Sequence, residues 1–79
     1  NYIALVLEAH ADKIAAWLGQ TGQQARKLEL RLRFDQAVGQ VLRRGSSELE
    51  DGHEVVVRLI RDPSETRLGF RIITAFVDP

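Results

Sequence analysis

Cysteine and methionine are both absent from this 79-residue chain, and its formal net charge is zero. Without cysteine, neither a disulfide framework nor a thiolate metal site can stabilise so short a chain. No apolar run approaches the roughly 18 residues of a membrane span, so we expect no membrane insertion by this segment. A zero net charge excludes a global basic field, although a local basic block can still bind phosphate.

The length of the chain allows one domain, residues 1–79, with a small core. The chain has no Met, and it enters an amphipathic pattern within a few residues of Asn1. We therefore expect a piece excised from a longer polypeptide, and the alternative is trimming of a tag or leader.

Apolar spacing predicts one helix followed by strands. Residues 2–18 carry apolar side chains at three- and four-residue steps, which predicts a single amphipathic helix. Four segments have the alternating or continuous apolar pattern of strands: 28–34, 38–42, 55–60 and 70–77. The acidic stretch 45–52 is typical of a loop. The order predicts an α+β fold, an N-terminal amphipathic helix followed by a mainly antiparallel four-stranded sheet.

Thr74 is a polar residue among large apolar neighbours in the last predicted strand. Strict alternation places it on one face with Phe70, Ile72 and Phe76. A threonine there can simply satisfy its β propensity at a sheet margin. The functional alternative is a rigid hydroxyl in a cleft that hydrogen-bonds a base edge or a phosphate oxygen, with Phe76 stacking on a base. The pattern alone leaves both interpretations open.

Two arginines and two histidines are the other candidates. Arg43 and Arg44 precede Gly45 and are placed to meet phosphate, although paired arginines at strand ends are most often solvated. His10 lies on or beside the buried helix face, which favours a packed histidine. His53 follows an acidic loop that favours its protonated form, but loop histidines are mostly solvated. Neither has metal-ligand spacing, so no metal site or cofactor is predicted.

Four blocks of sequence carry a resemblance: Ile14–Leu18 (IAAWL), Val38–Gly45 (VGQVLRRG), Val56–Pro63 (VVRLIRDP) and Gly69–Phe76 (GFRIITAF). In this order they resemble the bacterial RNase A-like toxin domain found at the C-termini of CdiA-type contact-dependent growth inhibition effectors. The resemblance implies an RNase A-like fold that cleaves RNA without metal, transfer RNA being one possible substrate. It also implies a cognate immunity protein, and delivery from the producer cell surface or secretion system into the target-cell cytoplasm.

Two positions carry the family's site onto this chain. Thr74 matches the family's active-site threonine, and Phe76 stands where members often carry a tyrosine, so stacking survives without the phenolic hydroxyl. Family members hold their catalytic histidine in a segment before the helix, and His10 does not align with it. The resemblance implies that this chain is the C-terminal portion of the domain, inactive alone, with the N-terminal segment missing or paired as a separate chain.

Two other functions stay open. A non-catalytic protein-binding module would use an exposed sheet edge or the basic strand face that includes Arg31, Arg33 and Arg43. A self-contained nuclease would use His53 and Arg58. For an immunity protein, the acidic stretch 45–54 and the basic stretch 26–44 are equal candidates as the docking surface.

Overall fold

The computed structural model describes residues 1–20, 26–42, 45, 47–62, 64 and 67–79. Within them the chain forms two helices and five strands: α1 (Tyr2–Ala9), α2 (Ala11–Leu18), β1 (Lys27–Arg33), β2 (Gly39–Leu42), β3 (Leu49–Gly52), β4 (Glu54–Arg61) and β5 (Phe70–Asp78). The α+β class is confirmed. The single helix and the single four-stranded sheet are wrong in detail.

The helical segment is interrupted at His10, which ends α1 and precedes α2. Its ψ of 23° departs from helical geometry, and its Nε2 lies 2.7 Å from the Arg31 carbonyl oxygen of β1. That contact fastens the break to the sheet. The start of α1 is capped by Asn1, whose Oδ1 accepts a hydrogen bond from the Ile3 amide at 2.8 Å. No described helix has the length and apolar character needed to cross a membrane.

The described strands form two antiparallel sheets, one of three strands in the order β1-β4-β5 and one hairpin of β2 with β3. The prediction of a loop over 45–52 is wrong at its end, because residues 49–52 pair with β2. Gly52 makes this packing possible: a Cβ there would overlap with the Val77 side chain of β5. The Val38 amide also donates to the Gly52 carbonyl at 2.9 Å, which continues the hairpin.

The core lies between the helices and one face of the three-stranded sheet, which we call the helix-side face. Its buried cluster consists of Val6, Ile14, Trp17, Leu30, Val55, Val57, Leu59 and Phe70. Full burial of such a side chain contributes about 1.5–3 kcal/mol. Arg61 ties the end of α2 to β4, because its Nη2 donates to the carbonyls of Trp17 and Gln20 while its guanidinium lies 5.8 Å from the Trp17 ring centre.

A bulge divides β5 into two halves that follow different alternations. Leu59 pairs with Ile72 and Arg58 pairs with Thr74, so Ile73 is an extra residue without a Cα partner on β4. The first half therefore turns Phe70 and Ile72 toward the helices, and the second half turns Thr74 and Phe76 the other way. The predicted face shared by all four residues is wrong, because the extra residue reverses the alternation.

Candidate functional site

The open face of the three-stranded sheet, which points away from the helices, holds the predicted threonine. In the register, Arg58 of β4 lies between Glu29 of β1 and Thr74 of β5. Two residues along β4, Val56 pairs with Phe76 on one side and with β1 on the other. Antiparallel partners on one face have Cβ atoms about 4.5–5.5 Å apart, so these rows bring Thr74 and Phe76 beside a guanidinium.

A cleft of about 390 Å³ opens at this point, and we call it the Thr74 cleft. It is lined by Lys27, Leu28, Glu29, Arg58, Ile73 and Thr74. Thr74 is half-buried, and its hydroxyl has no hydrogen-bond partner among the described residues. Among the described residues, the buried side-chain groups without a partner are Trp17 Nε1 and Arg61 Nε, so the threonine hydroxyl is not sealed in the core. It is a partly exposed donor and acceptor on strand β5.

The ring of Phe76 supports the same cleft from the next row. It is 37% exposed, and the Arg58 guanidinium carbon lies 5.2 Å from its centroid. A cation at this distance over an aromatic face is attracted by the ring, by about 0.5–1 kcal/mol at an exposed site. The contact restricts Arg58 while leaving part of the ring accessible to a stacking partner.

Glu29 is the acidic residue that lines the cleft, and it is paired with two arginines. Its Oε1 accepts from Arg58 Nε at 2.8 Å, and its Oε2 accepts from Arg31 Nε at 3.2 Å. The hydrogen bond from Arg58, followed by that from Arg31, lowers the pKa of Glu29 below its ordinary value. The carboxylate is therefore ionised at neutral pH, and it is a weaker proton acceptor than an unpaired glutamate.

Arg31 is occupied by carboxylates on three sides. Its Nη1 donates to Glu54 Oε1 at 2.6 Å and to Asp78 Oδ2 at 3.3 Å, in addition to its bond with Glu29. The hydrogen bond to Glu54, followed by the one to Glu29, raises the pKa of Arg31 above its ordinary value. This cluster joins all three strands and leaves Arg31 poorly placed to contact a partner.

The other predicted residues are two arginines and two histidines. Arg43 and Arg44 lie outside the described residues. His53 precedes β4, where its backbone exchanges hydrogen bonds with Phe34 and Asp78, and it is five residues from Arg58. Five residues of extended chain span about 16 Å, and His53 is not among the residues that line the cleft. His53 is therefore not at the cleft that Arg58 lines.

His10 is also directed elsewhere, toward the Arg31 carbonyl. Among the residues that the structure describes, no three histidine, cysteine or acidic side chains are grouped so as to hold a metal. Lys27 and Glu29 are cleft residues that the sequence interpretation did not single out. The available signal was the strict alternation of β1, which puts its charged residues on one face, but only the register shows that this face meets Thr74.

Comparison with known proteins gives two findings. The family model described as "Bacterial CdiA-CT RNAse A domain" matches residues 1–77. A solved structure described as "Crystal structure of CdiA-CT/CdiI complex from Y. kristensenii 33638" superposes on 98% of this chain with a TM-score of 0.86 and 22% sequence identity. At that identity the likeness shows a common fold. This chain spans 66% of the length of that solved chain. The search of curated proteins found no match to this chain.

Proposed function

From the premise that this chain belongs to the bacterial CdiA-CT RNAse A domain family, we propose that it cleaves RNA phosphodiester bonds as a toxin in competition between bacteria. The observation that carries the proposal is the Thr74 hydroxyl, which is solvated and unpartnered among the described residues, in a cleft beside Arg58 and Phe76. A hydroxyl, a guanidinium and an aromatic face are the groups that bind ribonucleotide phosphate and base.

The proposed reaction is metal-independent transesterification. The 2′-oxygen of the RNA attacks the adjacent phosphorus as a base removes its proton, and the bond from phosphorus to the 5′-oxygen breaks as an acid protonates that oxygen. The products are a 2′,3′-cyclic phosphate and a free 5′-hydroxyl. Charge builds on the non-bridging oxygens of the phosphorane, so donors aimed at them accelerate the step.

Thr74 is proposed to donate its hydroxyl hydrogen to one of those oxygens, and Phe76 to stack on a neighbouring base. A threonine hydroxyl does not ionise near neutral pH, so Thr74 stabilises charge and is not the base. Arg43 and Arg44 are proposed to contact phosphates of the RNA substrate. Stacking requires only an aromatic face, which explains how phenylalanine can stand where family members often carry tyrosine.

The proton-transferring imidazole is proposed to come from residues outside the 79 of this chain. Support comes from the two histidines present, because His10 bonds the Arg31 carbonyl and His53 does not line the Thr74 cleft. A general acid or base typically supplies about 10²–10⁴-fold in rate. The chain alone, residues 1–79 taken as the C-terminal portion of the toxin domain, is then a substrate-binding wall with little activity.

The test is an RNA-cleavage assay with the 79-residue chain and with the same chain extended by whatever residues precede Asn1 in its natural polypeptide. We expect cleavage only with the extended chain. Efficient cleavage by the 79 residues, abolished by His10→Ala or His53→Ala in a protein that still folds, would refute the proposal that the imidazole lies elsewhere.

We also propose a protein partner, on the basis of the solved relative. The solved relative is a complex described as CdiA-CT with CdiI, and we propose that a cognate immunity protein binds this chain and blocks it. We also propose that the toxin acts in the cytoplasm of a target cell after delivery from the producer cell. The candidate partner is the product of the gene next to that of this chain. Co-purification of the two proteins tests whether they bind, and an RNA-cleavage assay tests whether the partner inhibits the toxin.

A protein-binding module without catalysis is the second candidate. The observation that favours it is the edge strand β5, which exposes three large apolar side chains: Ile72, Ile73 and Phe76. An exposed apolar strand edge can pair with a strand of another protein. This candidate predicts that Thr74→Val leaves function intact, whereas the nuclease predicts a large loss of cleavage with unchanged folding.

A further inference from the structure

We infer that Arg58 is a phosphate-binding residue of the Thr74 cleft, and that it presents both of its terminal nitrogens to one RNA phosphate. This inference rests on the proposed function, which assigns RNA to the cleft, and it names a residue that the family's threonine and aromatic positions do not include. Arg58 is the one charged residue of β4 between Glu54 and Arg61, in a segment that is otherwise aliphatic and mostly buried. Its presence therefore requires an explanation.

The hydrogen bonding of Arg58 leaves its most useful donors available. Its Nε donates to Glu29 Oε1 at 2.8 Å, and within the described residues neither Nη1 nor Nη2 makes a hydrogen bond. The planar end of the guanidinium can therefore offer paired N–H groups in the fork geometry that fits two oxygens of a phosphate. The side chain is 50% exposed, so a phosphate can reach it from solvent.

The position of the guanidinium is fixed from two directions. Glu29 holds it from β1, and the Phe76 ring lies 5.2 Å beneath its carbon from β5. Because long side chains lose rotamer freedom on binding, an arginine that is already held loses less of it when it meets a phosphate. Phe76 thus has two functions in the cleft, supporting Arg58 and facing a base.

The cation also lies beside the proposed catalytic hydroxyl. Arg58 and Thr74 are direct partners in the register of β4 and β5, and both line the cleft. A phosphate there can accept from Thr74 Oγ1 through one oxygen and from Arg58 through others. The cleft favours this anion, because Lys27 and Arg58 outnumber Glu29, and Lys27 has no ion pair among the described residues.

The experiment measures binding of a fluorescein-labelled, 2′-O-methylated single-stranded RNA, which cannot be cleaved, by fluorescence anisotropy over a range of salt concentrations. The variants are Arg58→Gln and the matched control Arg33→Gln. Arg33 lies on the same face of β1, opposite Glu54, about 13 Å along the strand from Glu29. Both changes remove one positive charge from the open face.

We expect Arg58→Gln to weaken binding about tenfold or more and to lower the slope of log affinity against log salt by about 0.7, the value for one phosphate contact. Arg33→Gln should weaken binding less than about threefold. Arg58→Lys should keep most of the salt slope but not the full affinity, because one ammonium cannot make the paired contact. Circular dichroism identifies any variant that fails to fold. If Arg58→Gln fails to fold, the comparison is made with Arg58→Lys instead.

Equal losses from Arg58→Gln and Arg33→Gln would overturn the inference, since binding would then depend on overall charge. If Thr74→Val and Phe76→Ala weaken binding while Arg58→Gln does not, Arg58 is not a phosphate-binding residue. The proposal that RNA binds at the Thr74 cleft is then retained. If the unchanged chain does not bind the RNA at all, the proposed function fails and the inference fails with it.

Discussion

The helix-side face of the three-stranded sheet is filled by aliphatic and aromatic side chains, whereas the open face of the same strands carries charges around Thr74. On the first face Leu30, Val57 and Leu59 have no exposed surface. On the second face Glu29 and Arg58 remain 39% and 50% exposed although they are hydrogen-bonded to each other. One set of backbone hydrogen bonds therefore supports two surfaces, one that stabilises the fold and one that can bind a ligand. The two surfaces should respond differently to substitution.

Leu59→Ala should have the largest effect on stability. Leu59 is fully buried on the helix-side face of β4, and truncating such a leucine costs about 2–5 kcal/mol. A chain of this length is stable by only about 4–12 kcal/mol, so urea denaturation should show a greatly lowered midpoint. Leu68→Ala, at a residue that is 60% exposed, is the control and should change the midpoint little. Equal effects of the two changes would mean that the helix-side face is not the core.

Thr74→Val should separate catalysis from folding. The change keeps the shape and removes the hydroxyl, so cleavage by the extended chain should fall about 10²–10³-fold, as when one oxyanion donor is lost. The free energy of unfolding should move by less than about 0.5 kcal/mol, because Thr74 makes no hydrogen bond among the described residues. Thr74→Ser retains a hydroxyl and is the control that should keep most of the activity. Full activity in Thr74→Val would remove the threonine from the mechanism.

Phe76→Ala should weaken RNA binding without abolishing it. Loss of one base-stacking surface costs about 1–3 kcal/mol, and anisotropy with the uncleavable RNA should report a matching rise in Kd. Phe76→Tyr restores the residue that family members often carry and should bind as well as the unchanged chain, because the ring is kept. If Phe76→Ala binds normally, bases do not stack at this position, and the exposed ring has another use.

Acidification should have the smallest effect, and it should act through the open face. Arg58 and Arg31 hold the pKa of Glu29 below its ordinary value of 4.5. The folded state therefore binds this proton less readily than the unfolded state does. The resulting stabilisation is complete above the unfolded pKa and is lost as the pH falls through the lower folded pKa.

Urea midpoints measured from pH 6 down to pH 3 test this coupling. The unchanged chain should lose stability over that interval, and Glu29→Gln should lose less, because it has no proton to gain. Glu8→Gln is the control, since Glu8 is an exposed carboxylate of α1 with no ion pair among the described residues. Parallel pH curves for the unchanged chain and Glu29→Gln would show that the paired arginines do not stabilise the fold through this carboxylate.

The sequence predicted the helix-side face well and the open face only in part. Alternation over β1 and the continuous apolar run of β4 follow directly from which positions must be buried. The break at His10 could not be predicted from the spacing of apolar residues, because the contact made there, with the Arg31 carbonyl, is distant in sequence. β3 was missed since two of its four residues are acidic, and its last residue, Gly52, packs where a Cβ would overlap with Val77.

The candidate site was predicted at Thr74 and Phe76, but its surroundings were not. Resemblance and residue type identified these two positions, and both lie at the Thr74 cleft or next to it. Their role as catalytic residues stays a prediction. The neighbours Glu29 and Arg58 depend on strand register, which local patterns do not encode. The change of face within β5 was missed because no glycine or proline marks the bulge.

Ile73 has a consequence for how this domain can diversify. Since Ile72 meets Leu59 and Thr74 meets Arg58 on either side of it, removing Ile73 would leave every other residue of β5 on its present side and alter only the bend of the strand. The curvature of the cleft wall and the side chains displayed on it can thus be changed by different kinds of mutation. A one-codon deletion can change the first, whereas only point substitutions can change the second.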